Sequence, residues 1–209
     1  MKKMGSTFLG AVLGTVVVLG LGSTAHALST TIGGASCASC FGSVYTLDVV
    51  SGGGNLWNVT YTVNTTNYSG QGSGLDAIAF KITANSTNIL STSITSQPAT
   101  FSDPLIVGGL SAGGCGSGPA GFICSQSSNL GGVAVPNGTY TFQYGVTLTA
   151  GTLFGNVTDW SIKGLYVDST GKQAGLTSEK GVPVPGTSLL FGVGMALFAG
   201  WHRKFSRQV

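Results

Sequence analysis

Four cysteines are the most reactive side chains of this chain, and their spacing limits the chemistry they could perform. Cys37 and Cys40 form a C-x-x-C motif, and Cys115 and Cys124 enclose a glycine-rich loop. Four cysteines can form two disulfides in three ways, and we favour pairing within each local pair. A thioredoxin-like redox role and a zinc site built from all four thiolates are the alternatives. The glycine-rich surroundings of residues 33–42 disfavour the redox role, because that role requires a strand followed by a helix.

Histidine and arginine, two residue types central to catalysis and anion binding, occur only near the two ends of the chain. The histidines are His26 and His202, and the arginines are Arg203 and Arg207. The body between the ends therefore has no Ser-His-Asp or Cys-His nucleophilic site, no histidine metal site and no guanidinium clamp for carboxylate or phosphate. Two carboxylates could still hydrolyse a glycosidic bond, but no motif marks such a pair. We predict that the protein is not an enzyme and needs neither metal nor cofactor.

Aromatic side chains offer a different chemistry, the stacking of rings on sugars while Asn and Asp bond the sugar hydroxyls. The candidates are Trp57, Trp160 and Tyr166. For each ring, packing in the core is the commoner alternative. Asp168 begins an Asp-Ser-Thr-Gly segment that could offer oxygens to calcium, but it lacks the spaced acids of an EF-hand loop. We expect a turn there.

The elements that must position these side chains are predicted to be strands. Apolar and polar residues alternate with period two over residues 57–63, 78–82 and 140–148. Further strands are expected over residues 44–50, 88–94, 98–101, 105–108 and 158–167. Turn-forming residues separate them at 52–54, 70–74, 137–138 and 168–171. Short antiparallel strands without a convincing helix predict an all-β fold, an antiparallel β-sandwich, with a closed β-barrel as the alternative.

The N-terminal residues have the pattern of an export signal. Lys2 and Lys3 precede an uncharged apolar stretch, and Ala25-His26-Ala27 is the small-x-small pattern of a signal peptidase site. We predict a signal peptide over residues 1–27 that signal peptidase removes, and a body exported to a compartment that permits disulfides. A retained membrane helix is the alternative, although the many glycines of this stretch disfavour it.

The C-terminal residues form a second apolar segment. Pro183, Val184 and Pro185 favour extended backbone, and an uncharged run over residues 188–201 follows them. At ~1.5 Å per residue that run reaches roughly 21 Å, short of a bilayer core of ~30 Å. The cations that follow place the tail end in the cytoplasm and the body outside the inner membrane; they are Arg203, Lys204 and Arg207. An ordinary tail anchor is one explanation of this segment.

The same tail resembles a known family. An exported chain rich in Gly, Ser and Thr that ends in Val-Pro-Val-Pro, a short apolar helix and a basic cluster is similar to the PEP-CTERM proteins of Gram-negative bacteria. The resemblance covers residues 182–209 closely, with Val184 where the family has Glu, and residues 160–176 are similar in style to the last strands of small members. It implies recognition of residues 183–185 by exosortase, a membrane protein with a cysteine-protease-like site. It also implies an association with exopolysaccharide and biofilm matrix.

Charge separates the body, residues 28–181, from the two ends. The body has six carboxylates against four lysines, a formal charge of −2, so the +3 of the whole chain comes from the ends and does not indicate nucleic-acid binding. Charged residues are 7% of the chain against a usual ~25%, so copies of the body repel each other weakly. The body is long enough for one domain.

These observations predict an exported, non-enzymatic cell-surface or extracellular matrix protein, first held at the inner membrane by its C-terminal helix as a precursor. One alternative is a carbohydrate-binding module that recognises exopolysaccharide. Another is a tail-anchored periplasmic protein.

Overall fold

A computed structural model describes residues 27–34, 37–152, 160–180 and 184–185. These residues form thirteen strands and two short 3-10 turns, Ala38–Cys40 and Ser86–Asn88, with no α-helix among them. The strands in chain order are β1 Ala27–Gly33, β2 Val44–Gly53, β3 Leu56–Asn64, β4 Gly74–Lys81, β5 Ile89–Ser96, β6 Phe101–Ser111, β7 Gly114–Ser117, β8 Phe122–Ser127, β9 Val133–Ala134, β10 Thr139–Leu148, β11 Ser161–Val167, β12 Gln173–Lys180 and β13 Val184–Pro185.

The strands form two antiparallel sheets. The first sheet has the order β13-β1-β2-β3-β10-β5. The second has the order β12-β11-β4-β8-β6-β7, with β9 paired to β4. One of the two sheets has the curvature of a half-barrel. The prediction of an all-β, antiparallel fold is confirmed.

The main core lies between the two sheets, and the period-two alternation of the strands fills it. On β3, Val59, Tyr61 and Val63 are buried while the residues between them are more exposed. Tyr61 stacks on Phe80 of the second sheet with ring centroids 6.1 Å apart, and Phe80 lies 5.4 Å from Tyr144 of the first. Each such fully buried side chain contributes about 1.5–3 kcal/mol relative to an exposed one, so these contacts hold the two sheets together.

The second sheet also buries its other face. Alternate residues of β4 point in opposite directions, so Ile78 and Phe80 join the main core while Ala77 and Ala79 join a second apolar cluster. The buried members of this second cluster are Ala77, Ala79, Leu110, Phe122, Cys124, Leu165 and Val167. Because β4 is covered on both sides, it is a continuous buried run rather than an alternating one.

A disulfide shows how the second sheet curves over this cluster. Cys115 on β7 is bonded to Cys124 on β8, although β6 lies between those two strands in the sheet order. Gln126 on β8 reinforces the link, because its Oε1 accepts a hydrogen bond from the Cys115 backbone at 3.0 Å and its Nε2 donates to Asp76 at 2.9 Å. The β6–β7 hairpin is thereby held against the strands that it covers.

Most of the strongly alternating segments form strands near the predicted positions, within β2, β3, β4, β5 and β10. The strand expected over residues 98–101 is a turn in which only Phe101 belongs to a strand, and residues 105–108 lie within that strand, β6. The strands β7 and β8 and the polar edge strand β12 lie outside the predicted segments, because each lacks a clear alternation of large apolar residues. The predicted turn at 168–171 joins β11 to β12.

Several predictions fall on residues that the structure does not describe. The C-terminal predictions on Pro183, the apolar run and the basic tail of Arg203, Lys204 and Arg207 lie outside the described residues. So do residues 1–26 of the predicted signal peptide, Ala25 among them. Within the described ranges, no helix has the length and hydropathy that crossing a bilayer requires. Ala27 begins β1, whose Leu28 and Ser29 pair with Pro185 and Val184 of β13.

Candidate functional site

The cysteines form the two predicted local disulfides. The Cα atoms are 5.3 Å apart in the Cys37–Cys40 pair and 5.7 Å apart in the Cys115–Cys124 pair, and no described cysteine is free. Sulfurs in disulfides cannot supply the thiolates of the alternative zinc site. The C-x-x-C motif lies in a 3-10 turn between β1 and β2, rather than at the start of a helix after a strand.

The Cys37–Cys40 turn contacts the edge strand β12. Ser39, inside the turn, donates a hydrogen bond to the Glu179 carboxylate, and its carbonyl accepts one from Thr177 Oγ1 at 2.8 Å. This turn therefore holds one end of β12 in place.

Two of the three candidate sugar-stacking rings are buried in the folded protein. Trp160 and Tyr166 are 1% and 0% exposed, so neither ring has a free face for stacking, although Trp160 forms part of the wall of a cleft in the second sheet. Trp57, at the start of β3, is half-buried and packs against the rim of the main core, so part of its ring stays accessible. The three rings do not form a common stacking surface.

The Tyr166 hydroxyl belongs instead to a buried chain of hydroxyls. Its oxygen lies 2.6 Å from that of Tyr45 and donates to Ser43 Oγ at 2.8 Å, while the Tyr45 oxygen lies 3.1 Å from Thr177 Oγ1. Gly164 faces the Tyr45 hydroxyl and leaves room for it. Burial raises the pKa of both tyrosines above the usual range, so the phenols stay neutral and do not act as bases.

A cleft in the outer face of the second sheet contains most of the body's positive charge. It has a volume of about 360 Å³. We call it the lysine cleft, and its lining consists of Lys81, Lys163, Lys180, Phe122, Trp160, Ser161, Ser178 and Glu179. Three of the four lysines of the body thus line one concavity.

Strand register brings these side chains together. Phe122 pairs with Lys81, Lys81 with Ser161, and Ser161 with Lys180, which makes one row across β8, β4, β11 and β12. Directly paired residues project from the same face of a sheet, so the row shares one surface. Lys163 lies two residues further along β11 on that same face.

The lysine ammonium groups lie over an aromatic floor. Lys163 Nζ is 4.7 Å from the centre of the Phe122 ring and donates to the Leu110 carbonyl at 3.2 Å. Lys81 Nζ is 5.8 Å from the same ring. These two ammonium groups thus lie against Phe122, a member of the second apolar cluster.

The charges of the described cleft residues are not balanced. Three lysines and one acidic residue, Glu179, belong to the described lining, which gives it a formal charge of +2. Among the described residues, no ion pair connects these lysines to a carboxylate. Glu179 accepts its hydrogen bond from Ser39. The described lining can attract an anion.

No sequence motif marks this cleft, because its lysines are far apart in the chain. The alternation of side-chain direction along each strand could have helped to find it. By that alternation, Lys81 and Lys163 both point away from the main core. Combining that alternation with correct pairing of β4, β11 and β12 would have placed the lysines on one surface.

The Asp168 segment is a turn, as expected. Asp168 Oδ1 accepts hydrogen bonds from the Thr170 hydroxyl at 2.6 Å and from the backbone of Thr170 and Lys172 at 2.8 and 3.0 Å. These bonds, the Thr170 hydroxyl above all, lower the pKa of Asp168. Its oxygens thus serve the turn, and the described residues contain no cluster of three or more potential metal ligands.

Comparison of the chain with protein-family models, with curated proteins and with solved structures finds no significant match.

Proposed function

We propose that this chain is an exported, non-enzymatic protein of the cell surface or extracellular matrix, with a β-sandwich body. It is made as an inner-membrane precursor with a PEP-CTERM-like sorting signal, which an exosortase-like enzyme recognises at Pro183, Val184 and Pro185 and cuts. Signal peptidase removes the other end after Ala27. The absence of histidine and arginine from the body supports a role that is not catalytic.

The pairing of β1 with β13 is the observation that carries this proposal. Leu28 is the first residue expected after signal peptidase cleavage, and Pro185 is the last residue expected after removal of the tail. The two residues are direct cross-strand partners. A folded unit whose first and last strands meet at the two expected cleavage points would remain intact after both cuts.

Two further observations agree with export. Both disulfides are local and closed, as expected for a protein that folds in an oxidising compartment. The surface has few charges, so copies repel each other weakly and association into a matrix is favoured.

Intact-mass analysis of secreted and surface material tests the proposal. We expect a chain that begins near Leu28 and ends near Pro185. Val184→Glu, which restores the residue typical of the family, should raise the processed fraction, and Pro185→Ala should lower it. A mature protein that retains Trp201 would support the tail-anchored alternative instead.

The lysine cleft favours a second candidate, a module that binds the exopolysaccharide of the same cell. Retention of the protein on that polysaccharide would support it. Lack of retention together with self-association in solution would favour a purely structural role.

A further inference from the structure

We propose that the lysine cleft binds an acidic carbohydrate, a saccharide whose carboxylate or sulfate groups are spaced by neutral hydroxyls. The inference rests on the proposed surface location, which brings the body into contact with extracellular polymers. It is independent of how the two ends are processed.

The excess positive charge of the lysine cleft is the first observation that supports this proposal. The protein has few charges and a negative body, yet three of the four lysines of that body converge on one concavity. Like charges on neighbouring strands disfavour each other. An anion in the cleft would offset the repulsion between these ammonium groups.

The spacing of the lysines is the second argument. Lys81 and Lys180 lie on the two strands that flank β11, so their Cβ atoms are separated by two strand spacings, roughly 10 Å. Lys163 lies further along β11. This separation suits acidic groups on successive sugars better than one compact ion, which could reach only one or two of the lysines.

The polar groups between the lysines suit sugar hydroxyls. Ser161 lies between Lys81 and Lys180, and its hydroxyl donates to the Glu179 carbonyl at 2.7 Å, so its lone pairs can still accept a hydrogen bond. Ser178 is exposed beside Lys163. The cleft thus has separated ammonium groups with serine hydroxyls between them. These groups complement a saccharide in which hydroxyls separate the acidic groups.

Nucleic acid fits this surface less well. Its charge density is high, and proteins that bind it commonly present several phosphate contacts that often include arginine. This cleft offers three lysines on a body of formal charge −2 that has no arginine.

The test uses the full-length chain in detergent and measures its affinity for polygalacturonate, dextran sulfate and neutral dextran. We expect binding to at least one acidic polymer, weakening as salt rises, and none to dextran. Lys81→Gln, Lys163→Gln and Lys180→Gln should each weaken binding roughly two- to fivefold, the range that exposed ion pairs give. The triple variant should lose about tenfold or more.

The fourth lysine of the body provides the matched control. Lys172 follows the β11–β12 turn outside the cleft, so Lys172→Gln removes the same charge and should leave affinity unchanged. Replacing the three cleft lysines by Arg keeps the charge and should retain binding, which separates loss of the site from loss of folding. The basic ends of the chain are common to all variants, so their contribution cancels.

Unchanged affinity in the triple Gln variant would overturn the proposal, as would equal binding of neutral dextran. If inorganic sulfate competes as strongly as the polymer at the same concentration of negative charge, the cleft binds a free anion. That result would overturn the proposal of a carbohydrate ligand. Preferential binding of single-stranded DNA would overturn it as well. None of these results depends on the masses of the processed ends, so this inference and the proposed function can fail separately.

Discussion

At the scale of single residues, the hydroxyl of Tyr166 connects the two sheets. It contacts Tyr45 on β2 of the first sheet and Ser43, the residue just before β2. Its ring stacks on that of Tyr68, with the ring centroids 4.3 Å apart. A ring removed from the solvent thus has two roles, apolar packing and satisfaction of buried polar groups. Its burial also explains why an aromatic residue on a strand is a weak indicator of sugar binding.

Removing only that hydroxyl should destabilise the protein. We expect Tyr166→Phe to lower the free energy of unfolding by about 1–3 kcal/mol, because Tyr45 and Ser43 would lose a buried partner. Tyr140→Phe is the matched control, since its hydroxyl donates to the Ala134 carbonyl at an exposed position where water can replace it. Urea denaturation measures both, and equal losses in the two variants would contradict this role.

At the scale of elements, β11 carries both the core and the cleft. One side of the strand presents Ile162 and Tyr166 to the main core, and the other presents Lys163 and Leu165 to the second face. The position of the lysine cleft is consequently linked to the packing of β11. The two disulfides brace its surroundings, one at β12 and one at the β6–β7 hairpin.

Opening the second disulfide should loosen that hairpin. Cys115→Ser with Cys124→Ser should cost about 2.5 kcal/mol, the loop-entropy value for their separation of nine residues. Cys37→Ser with Cys40→Ser, at a separation of three, should cost about 1.5 kcal/mol. Urea denaturation without reductant measures the two double variants. A larger loss from the shorter loop would show that the contacts of Ser39, not chain entropy, dominate.

At the scale of the whole molecule, the low charge of the chain leaves one edge of the described sheets without a charged residue. The edge strand β5 has no charged residue and no proline, whereas the edge strand β12 carries Glu179 and Lys180. Leu90 on β5 is 62% exposed. Uncharged edges of this kind pair readily with other chains, so β5 is the expected site of self-association.

A charge placed on that edge should reduce self-association. We expect Leu90→Lys to lower the apparent mass measured by light scattering or sedimentation. Leu130→Lys is the matched control, because Leu130 is 79% exposed but lies in a turn. Both changes reduce the net negative charge of the body equally. If net charge rather than edge pairing governs association, the two variants will behave alike.

Much of the fold was predictable because the relevant physics is local. Alternation over residues 57–63 and 140–148 reflects strands with one buried face, and these segments form β3 and β10. The disulfides were predictable because closing a short loop requires little organisation of the rest of the chain. Strands such as β4, covered on both faces, and β12, at a polar edge, depend on what packs against them, which a local pattern does not record.

The sequence by itself determined that the chain forms antiparallel strands, that its cysteines can pair locally, and that the body has no histidine or arginine for catalysis. It also supplies the export and sorting predictions at the two ends. Only the tertiary structure decided that Trp160 and Tyr166 are core residues and that Lys81, Lys163 and Lys180 share a cleft. The physical reason is that burial depends on how the two sheets pack, and the shared surface depends on how β4, β11 and β12 pair. Sheet packing and strand pairing each bring together residues that are distant in the chain.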